Sequence, residues 1–372
     1  MCRAQRSAKL SGGAGNVNST VVVDETARIP PPSRPMTNQR FGCAGIALAV
    51  ILCISLLLNF VFIIGSGSGV VMDEPPKFEE STVVAAVAAK DGKESKDKIA
   101  LITLRGIISG MEPGSIGDTM VDDLKIQLQQ AVNDEKVKAV VLLIDSPGGE
   151  VTASDNIYSA VKSVRDKSKK PVVVHMGAMA ASGGYYVACG ASHIIANETT
   201  FTGSIGVIMQ GLNYQELLGK VGVQFNTFKS GKMKDMLSGS RAMTDEEREY
   251  IQAMIMQTYG KFVGIVAKER GLPEDQLRSG LADGRVISGK DAFDAKLVNQ
   301  LGGIEDAYAK AMELGKAPGA RIIRYDSPMG IGRLLKMLGK SEGTKIEVKL
   351  ADGLAPKLEA GRLYYLPSLF AQ

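Results

Sequence analysis

From residue 99 onward, short runs that are apolar throughout alternate with amphipathic stretches, and few architectures satisfy both patterns at once. KAVVLLID (138–145) and PVVVHMG (171–177) read as strands with no polar face, IALITLRGII (99–108) as a third and HIIAN (193–197) as a short fourth. Helices are predicted over 121–135, 153–167, 179–191, 214–222 and 244–269, with a turn and strand at 200–208. A strand apolar on both faces must be covered on both, so the expected fold is α/β, a mainly parallel sheet with helical cover. In such sheets ligands sit beyond the C-terminal ends of the strands, which is where Ser146-Pro147-Gly148-Gly149 falls.

Ahead of this region, GCAGIALAVILCISLLLNFVFIIG (42–65) runs for 24 residues without a charge. As a helix it would be about 36 Å long, against a hydrocarbon core of roughly 30 Å, so one transmembrane helix is expected. The 41 residues before it are too long a lead for a cleaved signal peptide. Arg28, Arg34 and Arg40 precede the run, whereas Asp73, Glu74, Glu79 and Glu80 follow it. Basic flanks stay cytoplasmic, which places the rest of the chain outside the cytoplasm. The expected organisation is a flexible cytoplasmic tail (1–41), the span (42–65), a linker (66–98), a main domain (99–320) and a C-terminal extension (321–372) holding short pieces such as IIRY and RLYYLP.

Charge narrows the function. Residues 1–65 carry six Lys/Arg against two Asp/Glu, and the remaining 307 residues balance at 38 against 38, which argues against a nucleic-acid partner. The four cysteines, at 2, 43, 53 and 189, have neither disulfide-framework nor zinc-ligand spacing. Only His175 and His193 exist, so a histidine-rich metal site is excluded, and both histidines begin or end apolar strands where a structural role is expected. No cofactor is called for. Ser95-x-x-Lys98 has the spacing of penicillin-binding enzymes but lacks a Lys-Thr-Gly partner, and is read as chance.

Without a histidine base, a hydrolase would turn to lysine. Ser182 lies in MAASGGYY (179–186), where small neighbours leave room for a substrate carbonyl and a helix start offers free N–H groups. Gly148-Gly149 is either a turn leaving a strand or a nest whose N–H groups face an oxyanion. In KSGKMKD (229–235), Lys229, Lys232 and Lys234 are equally available as a base.

Six blocks in order, SPGGEVTAS, MGAMAASGGYYVA, TGSIGV, FKSGKMKD, MTDEER and ADGRVISGKDAFDAKLV, closely resemble the signal peptide peptidase A family over roughly 99–310. Its members are membrane-anchored serine proteases with a Ser-Lys dyad on a ClpP/crotonase-like fold. The resemblance implies Ser182 as nucleophile, Lys234 as general base, Ser204 as the residue orienting the lysine and the Gly149 N–H as part of an oxyanion hole. It also implies peptide substrates, remnant signal peptides among them, a groove preferring small residues, and a homo-oligomer, an octameric dome with each site formed between adjacent subunits. Two other readings compete, a crotonase-type acyl-coenzyme A enzyme using the same oxyanion hole and a non-enzymatic membrane scaffold.

Overall fold

The computed structural model of the chain describes residues 43–67, 78–86, 95–110, 119–326 and 364–365. In chain order the elements are α1 (Cys43–Gly67), β1 (Glu79–Val84), β2 (Lys98–Arg105), α2 (Met120–Asn133), β3 (Val137–Ser146), β4 (Gly149–Glu150), α3 (Val151–Asp166), β5 (Val172–Ala180), α4 (Gly183–Ala188), β6 (His193–Ala196), β7 (Phe201–Gly203), α5 (Gln215–Lys220), α6 (Asp245–Arg270), α7 (Glu274–Ser279), β8 (Val286–Ser288), α8 (Gly289–Asp294), β9 (Gln300–Leu301), α9 (Ile304–Leu314), β10 (Arg321–Asp326) and β11 (Tyr364–Tyr365). Helix α1 belongs to one compact unit, Met1–Val71, and the remaining elements to a second, Met72–Gln372.

The second unit is built on one sheet in the order β1-β10-β2-β3-β5-β6-β9, with β7 joined to β5 and β8 to β7. Its pairings are parallel except β1 with β10 and β7 with β8. Side chains alternate across the strands, so Ala100, Ile102, Leu104, Val140, Leu142, Ile144, Val174 and Met176 face one side with Leu124, Ile157, Tyr186 and Phe262. Ile99, Leu101, Ala139, Val141, Val173 and Ile195 face the other, against Ala307 and Ala311 of α9. Both faces are covered, which is why β3 and β5 lack a polar side.

Local signals set the helix ends. Thr119 and Asp122 cap α2 reciprocally, as Thr244 and Glu247 cap α6, and α6 stops where Gly271 turns left-handed at φ 66°. The helix expected over 179–191 shrinks to α4, because β5 continues to Ala180 and the chain then turns sharply. Residues 79–84, within the stretch expected to be a linker, instead form β1 against β10. Its β-branched residues suit an edge strand. Lys98 stands between two carboxylates, Glu80 at 2.6 Å and Asp134 at 2.9 Å, which ties β1 to β2 and gives this lysine a structural partner set.

Among the described residues no helix is long and apolar enough to cross a membrane. This overturns the transmembrane helix expected at 42–65, and with it the membrane as a partner, the single-pass localisation and the placement of the main domain outside the cytoplasm. The reason is reach: the described side chains of α1 run without a break only from Leu48 to Phe60. Such a stretch rises about 20 Å, short of a hydrocarbon core of roughly 30 Å. The expected tail over 1–41 lies outside the described residues.

His175 sits in β5 on the α9 side, nearly enclosed, with neither ring nitrogen hydrogen-bonded. Burial pushes its pKa down, opposed by Glu305 and Asp306 at the start of α9. The folded chain therefore takes up this proton at lower pH than the unfolded chain, and stability falls as pH drops below the ordinary histidine value of about 6.5. Denaturant midpoints at pH 7 and pH 5 should differ less in His175→Leu than in the wild type.

Candidate active site

The strand β5 leaves the sheet through Ala180 and Ala181 and enters α4 at Gly183, and Ser182 takes the bend with φ 53° and ψ −113°. This conformation is favourable only for glycine, and a side chain held there stores about 1–3 kcal/mol of strain. Two backbone hydrogen bonds hold it: the Gly184 N–H donates to Ala181 O at 2.8 Å and the Ser182 N–H to Gly203 O at 2.8 Å. A third, from the Tyr186 N–H to Ser182 O at 2.8 Å, opens the helix. Ser182 is fully buried, and its Oγ has no hydrogen-bond partner.

The loop at the end of β3 is pressed against this turn. The Ala181 N–H donates to Ser146 O at 3.1 Å, and the Gly148 N–H to Ser146 Oγ at 3.1 Å. There is no room for larger residues. A Cβ on Gly148, where φ is 107°, would lie 2.6 Å from the Gly183 N, and one on Gly183 would lie 2.5 Å from Ser154 Oγ and 3.1 Å from the Gly149 N. The amide nitrogens of Gly149 and Gly183 thus converge beside Ser182, as an oxyanion hole requires. The Ser182 N–H is not part of it, being committed to Gly203 O.

On its far edge, β4 is fixed by Ile108, whose N–H donates to Gly148 O at 2.8 Å and whose O accepts from the Glu150 N–H at 2.8 Å. A Cβ on Gly149 would stand 2.0 Å from Ile108 O, so this position admits no side chain. Ser204 follows the Gly203 that accepts from Ser182, is itself buried, and has φ 51°. The fold therefore brings Ser182, Gly149 and Ser204 together from three chain segments.

Lys234 is not among them. It sits on an exposed arm, and among the described residues its amine has no hydrogen-bond or ion-pair partner. Because Ser182 Oγ also has none, the two side chains do not bond within one chain. The arm does separate the three lysines that the sequence left equal. Lys229 is paired with Asp235 at 2.6 Å and Lys232 with Glu246 at 2.6 Å, leaving Lys234 free. Arg241 joins Asp235 and Glu247, and together with Lys229 it holds the Asp235 carboxyl well below the usual carboxylate range.

Three participants escaped the sequence reading. The Gly183 N–H was unspecified there, Ile108 carried no signal, and Tyr364-Tyr365 was one short piece among several. Removing the strained and unpartnered hydroxyl-bearing residue should stabilise the fold. Ser182→Gly should raise the unfolding free energy by about 1–2 kcal/mol, read from denaturant midpoints. Gly149→Ala should lower it by at least about 2 kcal/mol, because backbone atoms cannot yield to the new methyl.

Comparison with known proteins places this geometry. The sequence profile of peptidase family S49 matches residues 164–317, and that of Clp protease residues 91–201. A Synechocystis sp. protein provisionally named a protease is 41% identical over 220 residues, covering 59% of this chain and 75% of that one. An Enterococcus faecium protein provisionally named signal peptide peptidase SppA is 36% identical over 251 residues, covering 67% and 72%. The chloroplastic serine protease SPPA of Arabidopsis thaliana is 34% identical over 229 residues, which span 33% of its length. The acyl-coenzyme A and scaffold readings fall away against these matches. A glycine-only turn occupied by serine, set against two converging amides, belongs to acyl transfer, and the chain is a serine endopeptidase belonging to peptidase family S49.

Proposed function

We propose that Ser182 is the nucleophile and Lys234 the general base, and that the two come from adjacent copies of the chain. The strained Ser182 turn beside the Gly149 and Gly183 amides is the observation that carries the nucleophile. Lys234 is supported by its free amine between two ion-paired lysines. Its arm supports the second copy: Leu212, Leu217, Val221, Phe225 and Phe228 are all more than 60% exposed, Phe228 almost entirely, and α5 has no buried residue. Apolar side chains on this scale are normally covered by a partner.

In the assembled site the neutral lysine amine takes the Ser182 hydroxyl proton as Oγ attacks the substrate carbonyl. The Gly149 and Gly183 N–H groups receive the oxyanion, and the lysine then gives its proton to the leaving amine. Water repeats the sequence to release the acyl group. Ser204 orients the amine by hydrogen bonding. The substrates are apolar peptides, remnant signal peptides among them; the family resemblance and the name of the Enterococcus faecium relative support that class.

Ser182→Ala and Lys234→Ala should each lower kcat by about 1,000-fold or more on an apolar fluorogenic peptide. Mixing the two inactive proteins after dissociation distinguishes the shared site from one closed within a chain. Random reassembly of a head-to-tail ring restores a complete pair at about one site in four. No recovery from confirmed mixed oligomers contradicts the shared dyad. A lysine base works only unprotonated, so kcat/KM should rise from mildly acid to alkaline pH.

A further inference from the structure

The two residues of β11 are separated from β10 by residues 327–363, yet they lie inside the candidate site. Tyr364 and Tyr365 pair antiparallel with Glu150 and Gly149 of β4. On the other side, Tyr364 exchanges two hydrogen bonds with Ile208, N–H to O and O from N–H, each 3.0 Å. The segment is thus a middle strand, held on both edges by backbone bonds that read no sequence. This is how an extended peptide is bound by strand addition.

Its register matches that of a substrate. The Tyr365 carbonyl oxygen lies 2.1 Å from where a Cβ on Gly148 would stand, and the Gly183 N lies 2.6 Å from the same point. A carbonyl thus approaches the two amides assigned to the oxyanion. The Tyr365 side chain is fully buried, with its ring 5.0 Å from Tyr186 at 25° and 4.7 Å from Phe262 at 52°, and Tyr158 closes the cluster edge-on to Tyr186 at 5.3 Å. The Tyr365 hydroxyl is buried without a partner, so the pocket accepts the ring for its apolar area and does not read the oxygen.

From this arrangement, and resting on the dyad reading above, we propose that Tyr364-Tyr365 is a tethered occupant of the peptide groove, and that Tyr158, Tyr186 and Phe262 form the pocket that selects a large aromatic or apolar side chain on the acyl side of the scissile bond. The groove then prefers bulk where the sequence led to small residues. With the tethered strand seated, a substrate must displace it, and Ser182 is enclosed until it does.

The test compares the full chain with Tyr365→Gly and Tyr364→Pro by steady-state hydrolysis of a peptide carrying Phe on the acyl side. Tyr364→Pro removes the N–H given to Ile208 while leaving the aromatic packing, so it remains informative where Tyr365→Gly fails to fold. A groove filled nine-tenths of the time raises apparent KM about tenfold, so releasing the strand should lower KM by about that factor with kcat little changed. The synthetic peptide GRLYYLPSL, residues 361–369, should then compete with substrate on the released variants, and its double Tyr-to-Gly form should not. Folded variants with unchanged or raised KM, or no competition by GRLYYLPSL, overturn the proposal. Adding Ser182→Ala to Tyr364→Pro separates the two readings: surviving hydrolysis counts against the nucleophile, and loss of hydrolysis leaves the KM result to decide on the strand alone.

Discussion

The site depends on one backbone constraint, the left-handed bend at Ser182 between β5 and α4. Its strain is sustained by the Gly203 carbonyl on one side and the Ala181–Gly184 turn on the other. The glycines around it follow from this bend. With Ser182 projected at the sheet's C-terminal edge, the β3 loop must approach within backbone contact, and only Gly148, Gly149 and Gly183 permit it. Catalytic amides, strand pairing and the exclusion of larger side chains have this common cause.

Much of the sheet was legible in the sequence because buried parallel strands have no polar face. KAVVLLID and PVVVHMG fell within a few residues of β3 and β5. The Ser182 region was harder: AASGG suits a helix and a tight turn equally, since composition does not encode a positive φ, and the predicted helix began too early. A two-residue strand such as β11 carries no periodicity, so RLYYLP could not be placed. The uncharged run at 42–65 shows the opposite error. Apolarity over 24 residues pointed to a transmembrane helix, but the described residues contain no helix long and apolar enough to cross a membrane.

Lysine selection required both kinds of information. Three lysines within six residues are equivalent by composition, and the resemblance to signal peptide peptidase A pointed to Lys234. The structure adds a physical distinction, because the ion pairs of Lys229 and Lys232 bind their amines as cations while Lys234 is left without a counter-ion. Separation of Lys234 from Ser182 in a single chain follows from the arm's exposure, and it makes assembly a condition of the proposed chemistry. An isolated chain would carry a primed serine and no base.

The account turns on Ser182 being the reactive group, and covalent trapping tests that directly. The full chain, confirmed as assembled, is treated at pH 8 with a serine-reactive phosphonofluoridate, and the modified residue is located by peptide mass spectrometry. One adduct per chain on the peptide containing Ser182, and none on Ser182→Ala, is the predicted result. An adduct on another serine, or no adduct on assembled and hydrolytically active protein, would contradict it.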